Sequence, residues 1–599
     1  MAQRISVGML VAILISSTAV AGGTDVARRI EHIQHDLLPP VLIAGETAHT
    51  TELASRMQDL HVPGVGIAVI HEGRLEWVRG FGVTRIGGPP VTADTLFQAA
   101  SISKPVFATA VMSLVQSGKL DLDTDVNRYL KSWKLPENEF TREAKVTLRE
   151  LLTHSGGITV QGFGGYDAGT PVPTLVQVLD GASPANNEPI RAAAVPGKTQ
   201  RYSGGGFIIA QQAVSDVTGV AFPKLMHDLV LSPYAMKSST YEQPLPAGLL
   251  ARAAVPYRED GSPVPGGPHV YPELAAAGLW TTPSDLARYA IGLQQALAGK
   301  SGRVLSARTA HLMLTPALGS QAISFQMGGS AGHPTFTHGG GNAGYRCMLI
   351  AYEAGDGVVV MTNSDNGVAL VSDLVRTVAH EYGWPDYQPA MRTISAIEPR
   401  EFDRYVGAYR LPSGRVVTFW RDGSVLNSRI WGDPPAELFP SSEREYFAKT
   451  SELRWVFSAA SATGADRVAT LYQPGSERPA KRLAETEGQA ALEASLAVAK
   501  RFAQQMPADG GEVALLGLIR GLENGQPDYG SMVPEFAELT RQVLPGLRAA
   551  LAPLGAVQSM ALEKVDAAGN DVYQVKFAAG MREFRILLDP DGRINSVSF

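Results

Sequence analysis

Two pairs of short apolar segments, far apart along the chain, constrain its fold more than any other feature. Gly64-Val65-Gly66-Ile67-Ala68-Val69-Ile70 runs through His71-Glu72-Gly73-Arg74 into Leu75-Glu76-Trp77-Val78. Met348 to Tyr352 runs through Glu353-Ala354-Gly355-Asp356-Gly357 into Val358 to Met361. Each pair has a glycine in its connection, and each predicts a β-hairpin. The sequence between the pairs is mostly helical or loop-like in pattern. Placing both hairpins in one sheet gives an antiparallel sheet built from the two ends of a domain, with a helical insertion in the middle.

The 599 residues exceed what one such domain needs. At about 150 residues per domain, three or four are expected. Near Tyr382-Gly383-Trp384-Pro385-Asp386-Tyr387-Gln388-Pro389 the texture changes to short alternating segments, such as Val416 to Trp420, Leu453 to Phe457 and Val468 to Tyr472. Their spacing predicts a small barrel or sandwich. From Ala491 a helix carrying Leu496, Ala499, Lys500 and Phe502 follows, then strands over Val572 to Phe577 and Phe584 to Leu588. The expected organisation is multi-domain: an α+β domain over 45–385, an all-β barrel or sandwich over 395–487 and a small α+β module over 490–599.

Arg4, an apolar stretch from Val7 to Ile15 and Ala19-Val20-Ala21 read as a secretory signal peptide over 1–21, cleaved near Ala21. The apolar stretch is shorter than the roughly 20 residues that span a bilayer, so no integral span is expected in the mature chain, and the location is periplasmic or secreted. The net charge of -6 comes without long runs of one sign, which argues against a nucleic-acid partner. The lone cysteine, Cys347, excludes an intramolecular disulfide and sits in the strand-like run Arg346 to Tyr352, where it reads as a small buried hydrophobe.

The strongest chemical signal is Ser101-Ile102-Ser103-Lys104. The spacing of Phe107, Ala110, Val111, Leu114 and Val115 predicts a helix from about Ser103, setting Ser101 and Lys104 one turn apart. A serine hydroxyl is a weak nucleophile that needs a neighbouring base, and a lysine in a dry, cationic pocket can serve as one. The plain alternative is a helix start with Ser101 as cap and Lys104 solvated. Two later segments favour the chemical reading: Arg201-Tyr202-Ser203-Gly204-Gly205-Gly206 and Thr337-His338-Gly339-Gly340-Gly341-Asn342-Ala343-Gly344-Tyr345.

In order and coarse spacing these segments resemble the S-x-x-K, Y-x-N and K/H-x-G motifs of the class C β-lactamase and serine penicillin-binding-protein superfamily. Leu151-Leu152-Thr153-His154-Ser155-Gly156-Gly157-Ile158 and Ala277-Gly278-Leu279-Trp280-Thr281-Thr282-Pro283-Ser284-Asp285-Leu286 extend the resemblance across about 45–385. Residues 400–485 resemble the lipocalin-like barrel often appended to these enzymes, and the last 110 have an NTF2-like outline. The resemblance implies Ser101 as nucleophile, Lys104 as its base and Tyr202 as the group that relays the serine proton to the leaving group. It implies an oxyanion hole from the backbone N–H groups of Ser101 and Gly341, and substrate contacts from His338, Gly339 and Gly340. The glycines are expected to keep the strand edge clear for substrate. No cofactor or metal is called for.

Two departures shape the substrate expectation. Gly204 stands where Y-x-N has asparagine, removing an amide that binds the substrate's own amide. His338 replaces the usual lysine with a group mostly neutral at pH 7. Both favour small esters, or small amides and peptides, over penicillins, so the expected activity is that of a carboxylesterase or D-amino-acid-type peptidase. The competing reading is a non-catalytic, penicillin-binding-protein-like binding or sensor protein. Gly328-Gly329-Ser330-Ala331-Gly332 fits G-x-S-x-G, but the extended His333-Pro334-Thr335 that follows predicts a loop. His71-Glu72 and His380-Glu381 lack the second histidine of a zinc helix. His154 reads as a structural loop residue.

Overall fold

The computed structural model describes residues 18–459, 467–473 and 476–599. The expected leader lies outside them up to residue 17, and its expected cleavage site falls in the helix Thr18–His35. No helix among the described residues is long and apolar enough to cross a membrane. The chain divides into two compact units, one made of the described residues up to Leu38, Thr50–Leu179 and Ile190–Gln388, the other of Pro39–His49, Asp180–Pro189 and Pro389–Phe599.

The first unit is built on a six-stranded antiparallel sheet of β1 (Gly64–His71), β2 (Arg74–Gly82), β3 (Gln326–Gly328), β4 (Thr335–Asn342), β5 (Tyr345–Tyr352) and β6 (Gly357–Thr362), in the order β2-β1-β6-β5-β4-β3. Both predicted hairpins therefore share one sheet, with β1 paired to β6 from Val65↔Thr362 to Ile70↔Gly357. Side chains alternate across a strand, so β1 feeds two cores. Ala68 and Ile70 join the cluster that holds Leu286, Ala290 and Leu293. Val65, Ile67 and Val69 join the cluster that holds Leu370, Leu374 and Val378. Burying each large apolar side chain on this scale contributes about 1.5–3 kcal/mol. Gly66 lets one of these helices come close, since a Cβ there would lie 2.8 Å from Pro283 Cγ.

Five helices matter below: α1 (Ser103–Gln116), α2 (Gly204–Thr218), α3 (Leu274–Ala277), α4 (Pro283–Leu297) and α5 (Gly367–Glu381). The helix α1 is buried along almost its whole length and belongs to the same cluster as α2 and α4. Strand β4 pairs with β3 only over Thr335 to Thr337. Beyond that point its edge meets the single turn Ala100–Ile102 that leads into α1.

In the second unit, eight strands from Gly407–Arg410 to Ser476–Arg482 close into an antiparallel barrel, the first pairing with the last at Tyr409↔Arg482. Aromatic rings fill it: Phe419 packs edge-on against Trp455 at 5.1 Å and against Phe457 at 5.0 Å. With Tyr409, Leu426, Tyr446 and Leu471 they form a buried apolar core. The helix α6 (Glu485–Gln504) starts earlier than its apolar pattern predicts, because the face it buries is made of Gly488, Ser495 and Val498. Leu496 and Phe502, which marked the helix in sequence, are 42% and 41% exposed. Ser495 Oγ meets Thr418 Oγ1 at 2.7 Å, and buried Arg429 donates to the carbonyls of Ser495 and Ala567. The barrel is thereby tied to the C-terminal module, a four-stranded meander from Val557–Val565 to Ile594–Ser598 with helices Gly511–Asn524 and Pro534–Leu551.

Candidate active site

Ser101 sits in the turn Ala100–Ile102 and Lys104 in the first turn of α1, as the S-x-x-K spacing predicts. Lys104 is 2% exposed, and Ser101 is half-buried. Lys104 Nζ donates to Ser101 Oγ at 2.9 Å and to the carbonyl of Ala276 at 2.9 Å. The solvated-lysine alternative is therefore excluded. So is the cap, because the N-terminus of α1 has no side-chain cap hydrogen bond. The turn is held from several sides: Ser103 Oγ donates to the Ala100 carbonyl and accepts from Leu279 N–H, and Ala99 N–H donates to the Leu279 carbonyl.

Ala100, directly before Ser101, has φ +48°, a left-handed conformation that L-residues adopt at a cost. What holds it is β4. A Cβ at Gly340 would lie 2.3 Å from the Ala99 carbonyl oxygen and 3.3 Å from Ala100 Cβ, so only glycine lets the strand approach this turn. Gly339 and Gly341 would instead turn a side chain toward Met348 and Arg346. Gly340 is thus required by the approach of strand to turn, a reason that stands beside the expected clearing of the edge for substrate. Cys347 completes the support: its thiol donates to the Ala99 carbonyl at 3.1 Å, and burial pushes it up to about 12, so it stays protonated.

Tyr202 precedes α2, where Ser203 caps the helix by accepting from Gly206 N–H at 3.0 Å. The following glycines press on the segment 159–163: a Cβ at Gly205 would lie 2.5 Å from the Thr159 carbonyl, and one at Gly204 would lie 2.9 Å from Phe163 Cε2. Gly204 and Gly205 N–H groups donate to the Gln161 and Val160 carbonyls. Phe163 therefore occupies the space that an asparagine at 204 would enter. Lys104 Nζ lies 5.1 Å from the Tyr202 ring centroid, and the His338 ring 6.4 Å from it. Among the described residues no hydrogen bond joins the Tyr202 hydroxyl to Ser101 or Lys104.

His338 lies on β4, with Nδ1 donating to the Gly339 carbonyl at 2.6 Å, which leaves Nε2 as acceptor. The residue is half-buried. Burial, and then the Lys104 charge, push its imidazole down to about 4. It is neutral across the physiological range. The structure thus gathers Ser101, Lys104, Tyr202 and His338 around the turn before α1, with Gly341 on the adjoining strand.

Ser330 lies elsewhere, in the exposed turn between β3 and β4, and lacks the strand-to-helix setting a nucleophile elbow needs. Among the described residues no three His, Cys, Asp or Glu side chains are grouped to hold a metal. Sequence reasoning missed three contributors. The Ala276 carbonyl carries no side-chain signature. Asn342 Nδ2 donates to Gln98 Oε1 at 2.7 Å and to the Ala277 carbonyl at 3.2 Å, tying the end of β4 to α3; its place directly after the glycine run was the available signal. Glu273, at the start of α3, is fully buried with neither carboxyl oxygen hydrogen-bonded among the described residues, and burial pushes it up to about 8.

A lysine amine in contact with a serine hydroxyl, beside a tyrosine and a strand edge, is an arrangement that can carry out acyl transfer. The chain is similar to known proteins. The sequence model of the Beta-lactamase family matches residues 50–381. Penicillin-binding protein 4 of Amycolatopsis lactamdurans is 28% identical over 340 residues, covering 54% of this chain and 86% of that protein. Esterase EstB of Burkholderia gladioli is 29% identical over 216 residues, covering 35% of this chain and 53% of that protein. The octameric penicillin-binding protein homologue of Pyrococcus abyssi superimposes with a TM-score of 0.49 at 22% identity, covering 72% of this chain and 98% of that one. With more than half of its length matched by the family and the motif residues gathered around one turn, this chain belongs to the beta-lactamase family.

Proposed function

We propose that the chain is an exported serine hydrolase that forms an acyl-enzyme on Ser101 and cleaves small esters, with small amides or peptides as the second substrate class. The observation that carries this reading is the contact of Lys104 Nζ with Ser101 Oγ, fixed by the Ala276 carbonyl. In the proposed cycle Lys104 takes the serine proton as Oγ attacks the substrate carbonyl carbon. The Ser101 and Gly341 N–H groups hold the oxyanion, each such donor being typically worth about 3 kcal/mol. Tyr202 passes the proton to the leaving group, and water then attacks the acyl-enzyme with the same groups working in reverse.

Two features support esters over β-lactams. Phe163 puts an aromatic ring where an amide side chain would meet the substrate's amide. A neutral His338 offers no cation to a substrate carboxylate. Relatives named as an esterase and as a penicillin-binding protein are in keeping with an acyl-accepting serine. Export rests on the leader pattern over 1–21.

The test is a panel of p-nitrophenyl esters, D- and L-aminoacyl amides and a chromogenic cephalosporin, run on the wild type and on Ser101→Ala. Ester turnover that vanishes in the variant is expected. Binding without turnover across the panel would favour the non-catalytic reading. N-terminal sequencing of the protein from the extracytoplasmic fraction should begin at Gly22; an intact Met1 there would remove the proposed cleavage, and absence of the protein from that fraction would remove the export proposal.

A further inference from the structure

We infer that His154 is a positioning residue that holds Tyr202 in register for proton transfer; the inference rests on the acyl-enzyme reading above. His154 follows the helix Leu148–Leu152 and grips the chain on both sides of Tyr202. Its carbonyl accepts from Arg201 N–H at 2.8 Å, and its ring Nδ1 accepts from Ser203 N–H at 3.1 Å. Between these two bonds its ring lies against the Tyr202 ring, with centroids 4.3 Å apart and planes tilted by 33°. One residue thus fixes the backbone before Tyr202, the backbone after it and the face of its ring.

Three further observations separate this from a filler role. His154 is 2% exposed and has φ +57°, a conformation that a bulky residue keeps only where its surroundings impose it. Since Nδ1 accepts, the proton sits on Nε2, and that buried N–H has no partner among the described residues. A leucine would fill the space without an orphaned donor, so the imidazole is kept for its acceptor. Burial first, then the Lys104 charge, hold His154 well below the usual imidazole range. The ring therefore stays neutral and Nδ1 stays available to Ser203.

The test uses a p-nitrophenyl ester and four variants of the full chain. His154→Asn keeps an acceptor at the Nδ1 position, because Asn Oδ1 is also attached to Cγ, and it suits a left-handed backbone. His154→Leu removes the acceptor. Tyr202→Phe and the double variant His154→Leu/Tyr202→Phe complete a cycle. His154→Leu should lower kcat by about a hundredfold with KM nearly unchanged, in the range that a misplaced proton-transfer group costs, and should reshape the pH profile of kcat. His154→Asn should recover most of that loss. In the Tyr202→Phe background His154→Leu should cost nothing further.

Equal losses in the Asn and Leu variants, or the same loss with and without Tyr202, would overturn the inference and leave His154 a structural residue. If His154→Leu does not fold, His154→Gln, whose acceptor is one carbon too far out, takes its place in the cycle. Ser101→Ala is measured alongside. Full activity there would remove the acyl-enzyme reading and this inference with it. An inactive Ser101→Ala beside an unchanged His154→Leu would remove the inference alone.

Discussion

The first unit and the second unit differ in how much backbone strain they hold. Around the site, Ala100, His154 and Val160 all have left-handed φ, and His154 Nε2 and both Glu273 oxygens are buried without partners. In the second unit Gln505 is the only non-glycine residue with left-handed φ among those described, and buried Arg429 spends two donors joining barrel, helix and C-terminal module. Strained conformations and unpaired polar groups each cost on the order of 1–3 kcal/mol. They persist where surrounding structure over-determines them, which is the setting of a preorganised site. The second unit also leaves buried polar atoms unpartnered among the described residues, Arg429 Nε and Trp455 Nε1 among them, so what sets the site apart is its backbone strain.

The largest effect expected is at the site. Ser101→Ala should lower ester turnover by roughly four orders of magnitude, and Lys104→Ala should do nearly as much, since groups acting as a unit give non-additive losses. Ser101→Ala should leave Tm nearly unchanged, because Ser101 caps nothing. A double variant much worse than either single would break the shared mechanism.

Next comes the barrel, where the expectation reverses. Trp455→Ala removes the ring that packs on Phe419 and should cost about 3–5 kcal/mol of stability in the second unit, while kcat/KM on a small ester stays constant. Truncation after Gln388, at the end of the first unit, should likewise leave a folded, active hydrolase. A soluble, folded but inactive truncation would show that the second unit contributes to the pocket.

Acid and alkali should separate half-buried His338 from buried Glu273. With its imidazole at about 4, folded His338 stays neutral between pH 6.5 and 4 while the unfolded chain takes up a proton there. Stability therefore falls as pH falls through that window, by roughly 3 kcal/mol at most for this group, and His338→Gln should flatten the decline in chemical denaturation. Glu273 has the opposite sign. Folded, it keeps its proton to about pH 8, whereas the unfolded carboxyl loses it near 4.5, so stability falls as pH rises between those values. The stability of Glu273→Gln relative to wild type should grow from pH 5 to pH 8. A constant difference would mean that Glu273 ionises normally.

The smallest effect is on selectivity. His338→Lys should improve kcat/KM for a carboxylate-bearing substrate by an amount on the order of 1–3 kcal/mol if the new pair is partly desolvated, with neutral esters little changed. A loss of ester activity comparable to that of Ser101→Ala would make His338 the proton carrier.

The sheet and the nucleophile were legible because their signals are local. Alternating Val and Ile in β1 report two covered faces, and the three-residue step from Ser101 to Lys104 reports one helical turn. What stayed hidden depends on the third dimension. Gly340 looks like any member of a glycine run until the Ala99 carbonyl is found 2.3 Å from its missing Cβ. Phe163 lies some forty positions before the glycine whose neighbour it replaces. The helix α6 buries glycine and serine and exposes leucine and phenylalanine, so its apolar pattern pointed to the wrong face. His154 looked structural because its partners, Arg201, Tyr202 and Ser203, meet it only in the fold.

Fluorophosphonate labelling with peptide mapping reads whether Lys104 activates Ser101. One adduct is expected, on the peptide bearing Ser101, absent from Ser101→Ala and formed far more slowly in Lys104→Ala. An adduct on Ser330 or another serine, or labelling of Lys104→Ala at the wild-type rate, would contradict it.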